Sequence, residues 1–331
     1  MRLSTERPQP ARLSIVVPVY FNALNLPDTV PQLLALRDQL DGMTLELVFV
    51  DDGSGDESLP MLLDWRARYP EVISVVALSR NFGAMSAVLA GLHEATGDCV
   101  GVIAADLQDP PELLVQMADH WRHGHQTVLA VRADREESWS QRLAASVYYR
   151  LIRRFAIKEY PPGGFDLVLI DRAVVREIVQ TGEKNTNLMS LIFWMGFSPV
   201  MIPYVRRART KGVSRWTFAK KVTLFVDSFV AFSYAPVRAA SAIGAIVALV
   251  SFAYGVEVIV SRLRDGAPVP GFATLAVAVA FSLGLQMLTL GILGEYLWRV
   301  LDETRRRPQF VVAERFPATA DSSKESIKAL D

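Results

Sequence analysis

Two acidic stretches of the sequence contain side chains whose types and spacing could carry chemistry. The first, Ala-Asp-Leu-Gln-Asp-Pro-Pro-Glu, occupies residues 105–112 and follows an apolar run. Asp106 and Gln108 alternate across the predicted strand end, so both can reach one point where the chain bends. Hard divalent cations prefer oxygen ligands and are commonly held by one or two carboxylates together with substrate phosphates. Asp106 and Gln108 are therefore candidate ligands of Mg²⁺ or Mn²⁺, while Asp109, directly before two prolines, fits a helix N-cap.

The second stretch is Val-Asp-Asp-Gly-Ser-Gly-Asp at residues 50–56. At the end of a strand, Asp51 and Asp52 can accept hydrogen bonds from a nucleotide base edge and from ribose hydroxyls. Asp-Asp-Gly-Ser is also a common turn sequence, so this motif alone leaves a purely structural role open.

The elements that must position these side chains alternate along roughly the first 200 residues. Apolar strand runs and segments of helical period follow one another, which predicts an α/β fold with a mostly parallel sheet and helices on both faces. Ligands of such sheets bind beyond the carboxyl ends of the strands. That edge places four short stretches together: Pro18 to Asn22 with Tyr20, Asp51 to Ser54, Arg80 to Gly83 with Asn81, and Asp106 to Asp109.

The hydrophobic residues concentrate near the other end of the chain. Residues 239–260 contain one charged side chain, Glu257, and residues 271–294 contain none. Each segment exceeds the roughly 20 residues that cross a bilayer as a helix, which predicts a two-helix transmembrane hairpin over 237–298. Seven basic residues and no acidic one occupy 205–221, just before the first span. The positive-inside rule therefore predicts that the N-terminal domain and the C-terminal tail are cytoplasmic.

These observations divide the chain into five predicted parts. They are a flexible N-terminus (1–11), a cytoplasmic catalytic domain (12–210), a juxtamembrane loop with an interfacial helix (211–236), the hairpin (237–298) and a cytoplasmic tail (299–331) that is disordered from Pro317. Two amphipathic, base-flanked segments, 140–156 and 217–236, are expected to pack on the domain or to lie on the inner leaflet.

Composition excludes little. The chain has 35 basic and 35 acidic side chains, so its net charge gives no sign of nucleic-acid binding, and no nucleic-acid partner is expected. Its single cysteine, Cys99, rules out a disulfide within the chain and fits a reducing compartment.

Taken together and in order, the motifs resemble the polyisoprenyl-phosphate glycosyltransferases of glycosyltransferase family 2. The motifs are SIVVPVY, VDDGSGDES, SRNFGAMSAVLAGLHEATGD, ADLQDPPE, LIDRAVV and SRWTFAKKVTLFVDSFVAFSYAPVR, and they span about residues 12–312. This resemblance implies a GT-A fold and the inverting transfer of a sugar from a nucleotide sugar to a lipid phosphate. It also implies a divalent cation, a location in the bacterial inner membrane and possible homo-oligomers.

The resemblance also assigns roles to single residues. Asp52, with Asp51, matches the pair that recognises the base; Asp106 and Gln108 match the metal-binding Asp-x-Gln, so Asp106 would serve both donor binding and catalysis. Asp166 matches the aspartate proposed as catalytic base. Arg132 matches an arginine near the acceptor phosphate, and Lys211, Ser214 and Arg215 match a basic loop that meets the lipid phosphate at the membrane.

The sequence departs from the family pattern at three places. Ala104 stands where an acidic residue often precedes the metal aspartate, Phe21-Asn22 replaces the usual Asn-Glu, and Val168 replaces an arginine. The first departure leaves fewer protein ligands for a cation and supports a different class of function, a catalytically inactive sugar-nucleotide-binding scaffold.

The motifs leave the identity of the sugar donor open. By family analogy UDP-glucose is the expected donor, followed by other UDP-hexoses and then by GDP-mannose; the acceptor is expected to be undecaprenyl phosphate. A processive polysaccharide synthase is disfavoured because Gly212 stands where its Gln-x-x-Arg-Trp motif has glutamine.

Overall fold

The structure, a computed structural model of the 331-residue chain, forms two compact units. The sheet unit is Met1–Phe225 with Pro308–Asp331, and the helical unit is Val226–Arg307. The residues that the structure describes are 10–134, 146, 150, 152–154, 160–161, 165–181, 188–197, 199–207, 233, 235–265 and 271–319.

The sheet unit is built on an eight-stranded sheet with strand order β7-β5-β6-β4-β1-β2-β3-β8. Four neighbouring pairs are parallel (β1–β2, β1–β4, β2–β3 and β5–β7) and three are antiparallel (β4–β6, β5–β6 and β3–β8). The strands are β1 Ala11–Val19, β2 Met43–Asp51, β3 Ile73–Leu78, β4 Cys99–Val102, β5 Thr127–Asp134, β6 Phe165–Asp171, β7 Val200–Val205 and β8 Val312–Phe316.

Helices cover both faces of this sheet, as the alternating sequence predicts. The helices of the sheet unit are α1 Leu26–Leu34, α2 Ser58–Arg68, α3 Ala84–Glu94, α4 Leu113–Arg122, α5 Arg172–Thr181 and α6 Leu188–Trp194, with a 3-10 turn at Ala35–Gln39. Strand side chains alternate between faces. Leu13, Ile15 and Val17 join a core cluster with residues of α1 and α4. On the opposite face Val16 packs so closely on Gly91 of α3 that a Cβ there would lie 2.2 Å from Val16 Cγ1.

Strand β8 is absent from the sequence-based expectation and comes from the C-terminal tail. It pairs antiparallel with β3, and the backbone N–H of Ser79 donates to the Val311 carbonyl at 2.9 Å. Beyond it the N–H of Thr319 donates to the Pro70 carbonyl at 2.8 Å. The tail thus covers an edge of the sheet, and its first residues past Pro317 contact the sheet unit; residues 320–331 lie outside the described part.

The helical unit contains two long helices, α7 Ala235–Asp265 and α8 Phe272–Thr304. Within the described residues, one segment is long and apolar enough to cross a membrane: Val237–Val260, none of which is buried within the structure. The second span of the hairpin stays a prediction, as do the two amphipathic segments, most of whose residues lie outside the described part of the chain.

Candidate active site

The carboxyl ends of the central parallel strands bring the sequence-predicted residues to one edge. In register, Val19 at the end of β1 lies beside Asp51 at the end of β2, and Val16 lies beside Val102 at the end of β4. The polar segments that follow β1, β2 and β4 therefore leave the sheet from neighbouring positions. Strand β6 runs antiparallel to β4, with Val168 beside Val102, so its early residue Asp166 lies at this same edge.

Asp52 organises the loop after β3. One carboxylate oxygen accepts the backbone N–H of Phe82 at 2.7 Å, and the other accepts that of Gly83 at 2.9 Å. The side chain is buried, and the pKa of its carboxyl is raised because desolvation outweighs these hydrogen bonds. Asp52 thereby fixes the segment that contains Asn81 and Gly83.

Gly53, which follows Asp51 and Asp52, allows the 80–83 loop to approach the Asp-Asp-Gly turn closely. Gly53 has φ +67°, and a Cβ there would lie 2.6 Å from the carbonyl carbon of Arg80 and 2.8 Å from the backbone nitrogen of Asn81. Only glycine combines this left-handed backbone with so close an approach of a neighbouring chain. The 80–83 loop therefore lies directly against the Asp-Asp-Gly turn.

Asp51 is equally buried but is bonded differently. Its Oδ2 accepts the backbone N–H of Ser54 at 3.1 Å, while Oδ1 has no hydrogen-bond partner among the described residues. Burial is the main cause that raises the pKa of this carboxyl. The structure thus separates the two acids: Asp52 holds a loop, and Asp51 retains an acceptor oxygen.

The segment after β1 is tied to the same turn. The backbone N–H of Phe21 donates to Ser54 Oγ at 3.0 Å, and that of Asn22 donates to Ser58 Oγ at 2.9 Å. Phe21 has φ +54° and packs edge-on against Tyr20, with ring centroids 4.8 Å apart. Tyr20 and Pro18, both partly exposed, therefore lie next to the Asp51–Ser54 turn.

The turn after β4 has an unusual backbone at its centre. Leu107 has φ +53°, a conformation that an ordinary residue rarely adopts. The backbone N–H of Gln108 donates to Asp106 Oδ1 at 3.3 Å, and both side chains are partly exposed. Strained backbone of this kind is often retained at functional sites, and here it brings Asp106 and Gln108 onto one tight turn.

This turn fits a cation only with few protein ligands. Among the described residues no group of three or more His, Cys, Asp or Glu side chains is placed to hold a metal ion. One carboxylate and one amide oxygen match the incomplete ligand set that Mg²⁺ or Mn²⁺ commonly completes with water and phosphate oxygens. Ala104, partly buried, contributes none.

Asp109 does not have the helix-capping role that its position before Pro110 suggests. Helix α4 begins at Leu113, with Glu112 as its N-cap and without a side-chain cap bond. Asp109 is instead 1% exposed and accepts a hydrogen bond from the hydroxyl of Tyr204, while Arg206 Nε lies 3.4 Å from its Oδ1. The prediction was wrong because the partners of Asp109, Tyr204 of β7 and Arg206 just after it, come from far along the chain.

Tyr204 connects this buried carboxylate to a sequence-predicted residue. Tyr204 is also paired in register with Arg132, which lies on the neighbouring parallel strand β5. Burial and the negative charge of Asp109 raise the pKa of Tyr204 to about 12. Sequence reasoning missed both Tyr204 and Arg206; the carboxyl end of β7, beside β5 in the parallel part of the sheet, was the signal that could have pointed to them.

Three predicted residues, Lys211, Ser214 and Arg215, lie outside the described part of the chain. Asp166 lies on β6 at this edge of the sheet, but its side chain is outside the description. Their roles remain predictions.

Comparisons with known proteins identify the family. The profile of Glycosyl transferase family 2 matches residues 14–180. A Synechocystis sp. protein named as an uncharacterized glycosyltransferase is 37% identical over 303 residues, 91% of this chain and 95% of its own length. The bactoprenol glucosyl transferase of Shigella phage SfX is 32% identical over 308 residues, 92% of this chain and 99% of its own.

Among solved structures, a mannosyltransferase from Pyrobaculum calidifontis in complex with GDP-Man and Mn²⁺ is similar at 18% identity. It covers 86% of this chain and 85% of its own, with a TM-score of 0.46. The sequence relatives decide the assignment. The chain belongs to glycosyl transferase family 2, in the polyisoprenyl-phosphate group that its motifs resemble, and it is a glycosyltransferase.

Proposed function

We propose that this enzyme transfers a hexose, with UDP-glucose as the expected donor, to undecaprenyl phosphate at the cytoplasmic face of the bacterial inner membrane. The observation that carries the proposal is that the tight Asp106–Leu107–Gln108 turn and the buried Asp51–Asp52 pair lie at the same edge of the sheet, at the ends of β4 and β2. Full-length similarity to the bactoprenol glucosyl transferase of Shigella phage SfX supports the lipid acceptor.

The donor would bind across the ends of β1 and β2. Asp51, whose Oδ1 has no hydrogen-bond partner among the described residues, can accept a hydrogen bond from the base or the ribose. Pro18 and Tyr20 flank the position, and Asp52 keeps the loop of Asn81 and Gly83 in place.

Asp106 and Gln108 would hold a divalent cation together with the donor diphosphate. When bound, Mg²⁺ or Mn²⁺ neutralises negative charge on the departing nucleoside diphosphate. Because only two side chains of this turn are available, affinity for the cation should depend strongly on the nucleotide.

The proposed transfer does not require a strong general base from the protein. An oxygen of the lipid phosphate, already anionic at neutral pH, forms the new bond to the sugar C1, and the bond from C1 to the diphosphate breaks with inversion. Asp166 would orient the acceptor or take its residual proton. Arg132, Lys211, Ser214 and Arg215 would bind the acceptor phosphate, since guanidinium and ammonium groups offset its charge.

The membrane location of the acceptor agrees with Val237–Val260, the segment apolar and long enough to span a bilayer. The second span, the cytoplasmic orientation and any homo-oligomer belong to the same proposal. A polyprenyl tail would remain in lipid while its phosphate meets the basic segment that precedes the span.

A screen of nucleotide sugars tests the proposal. Purified full-length protein is given undecaprenyl phosphate, Mg²⁺ or Mn²⁺, and in turn UDP-glucose, other UDP-hexoses and GDP-mannose; undecaprenol, which lacks the phosphate, is the control. We expect nucleotide release and a lipid-linked hexose with a UDP-sugar and with the phosphorylated lipid alone. Turnover with GDP-mannose only would reassign the donor. Nucleotide binding without any turnover would favour the inactive scaffold that Ala104 suggests.

A further inference from the structure

The end of β7 and the two residues that follow it contact the Asp-Leu-Gln-Asp-Pro-Pro-Glu segment at three residues, Gln108, Asp109 and Glu112. The hydroxyl of Tyr204 donates to Asp109. The backbone N–H of Arg207 donates to the Gln108 carbonyl at 2.9 Å, and Arg207 Nη2 lies 3.6 Å from Glu112 Oε2. Gln108, one of the two proposed cation ligands, is thus held through its own backbone and through its neighbour.

The central contact of these three is buried. Asp109 is 1% exposed, and its Oδ2 has no hydrogen-bond partner among the described residues. A buried carboxylate is costly unless it is paired, and here its compensation comes from Tyr204 and from Arg206 at 3.4 Å. The buried carboxylate of Asp109 lies one residue from Gln108 and does not cap helix α4. Its burial therefore needs another role to explain it.

Arg132 supplies that explanation. Tyr204 donates its hydroxyl hydrogen to Asp109, and Arg132 is the residue paired with Tyr204 in the parallel register of β5 and β7. One tyrosine therefore connects the arginine of β5 to the turn of Asp106 and Gln108. The residue that would bind the acceptor phosphate and the residues that would bind the donor diphosphate are linked through a single side chain.

We propose that Tyr204 and Asp109 are positioning residues for the transfer reaction, holding the Arg132 guanidinium where the acceptor phosphate must approach the Asp106–Gln108 turn. This inference rests on the proposed function, in which Arg132 binds that phosphate. Neither Tyr204 nor Asp109 needs to contact a substrate. Both act through Arg132.

Substitutions at both ends of this hydrogen bond test the inference. Tyr204→Phe removes the hydroxyl, Asp109→Ala removes the acceptor oxygens, and the double variant removes both. Tyr69→Phe and Asp119→Ala are matched controls on exposed side chains. In full-length protein we would measure KM for undecaprenyl phosphate at saturating donor, Kd for the nucleoside diphosphate with Mg²⁺, and the thermal midpoint.

We expect Tyr204→Phe and Asp109→Ala each to raise KM for the lipid by about tenfold, the size of a lost hydrogen bond to a charged group. The Kd for the nucleoside diphosphate should change less than about twofold. The double variant should be no worse than the poorer single variant, because both break one linkage. If Tyr204→Phe folds poorly, Asp109→Ala still tests the same contact.

Two results would overturn the inference while leaving the proposed function standing: a wild-type lipid KM in Tyr204→Phe, or equal losses of lipid and nucleotide binding together with a lower thermal midpoint. A wild-type enzyme that transfers no sugar to any lipid phosphate would instead refute the proposed function and the inference with it.

Since the pKa of Tyr204 is about 12, its hydroxyl stays protonated, and the ratio of variant to wild-type KM should be constant between about pH 6 and pH 9. A ratio that varies across this range would contradict the assignment.

Discussion

The carboxylate of Asp52 accepts a hydrogen bond of 2.9 Å from the backbone N–H of Gly83, which lies 31 residues further along the chain. The neighbouring N–H of Phe82 binds the other oxygen of the same carboxylate. Both acceptor atoms of this side chain thus face the protein, so in the proposed donor site Asp52 would act by holding the 80–83 loop. The acid beside it, Asp51, is the better candidate for direct contact with the nucleotide.

Asp52→Asn should weaken donor binding and stability together. An amide presents only one acceptor oxygen, so one of the two N–H groups would lose its partner at a cost of about 1–3 kcal/mol. We expect a lower free energy of unfolding and at least about tenfold weaker nucleotide binding, measured by chemical denaturation and calorimetry. Asp64→Asn, on the exposed side of α2, is the control. Wild-type nucleotide affinity in Asp52→Asn would show that the loop does not depend on this carboxylate.

Gly53→Ala should be more damaging than Gly42→Ala. Both glycines have a left-handed backbone, with φ +67° and +64°, so alanine costs about 1 kcal/mol at either position. At Gly42 a Cβ would meet no atom within 4 Å, whereas at Gly53 it would meet the Arg80 backbone at 2.6 Å. The difference between the two variants in unfolding free energy isolates the close approach. Equal losses would mean that the 80–83 loop shifts at no cost.

Leu107 should tolerate glycine but not valine. Its φ of +53° is easy for glycine and strained for a β-branched side chain. We expect Leu107→Gly to retain cation-dependent transfer and Leu107→Val to reduce kcat by about tenfold or more, because Asp106 and Gln108 would separate. The measurement is kcat at saturating Mg²⁺ for both variants. Full activity in Leu107→Val would show that the turn geometry is dispensable.

Phe316→Ala should loosen the C-terminal strand. Phe316 packs against the hydrophobic core at the end of β8, and partial loss of that burial should cost about 1–3 kcal/mol. Limited proteolysis and thermal unfolding would detect the change. Val311→Ala, at a half-exposed position just before the strand, is the control. If both variants match wild type, the tail adds nothing to the stability of the sheet unit.

The sequence predicts the first half of the sheet unit well, and physical reasons explain where it does not. Strands β1 to β5 are apolar runs bounded by turn residues, so local periodicity is sufficient. Strand β7 contains Pro203, a residue that is rare within strands, and β8 is a five-residue edge strand containing Glu314 and Arg315. Neither produces a clear apolar alternation, and both become visible only through their pairing with distant strands.

The positions of the candidate site residues at one sheet edge were predictable in the same way. Asp51 ends a strand and Asp52 and Asp106 follow strands, so an apolar run that stops at an acid marks them. The role of Asp109 could not, because its partner Tyr204 is 95 residues away. The position of Asp109 before Pro110 predicts a helix N-cap, whereas in the structure its carboxylate accepts a hydrogen bond from Tyr204.

The proposed cation-dependent transfer is best tested by measuring the transfer of labelled hexose from a UDP-sugar to undecaprenyl phosphate, with and without Mg²⁺ or Mn²⁺. Wild-type enzyme and Asp106→Ala would be compared at equal folded concentration, checked by their thermal midpoints. We expect lipid-linked product from the wild type that disappears on chelation, and a loss of at least about a hundredfold in Asp106→Ala. Near-wild-type transfer by Asp106→Ala would contradict the cation site and the function built on it.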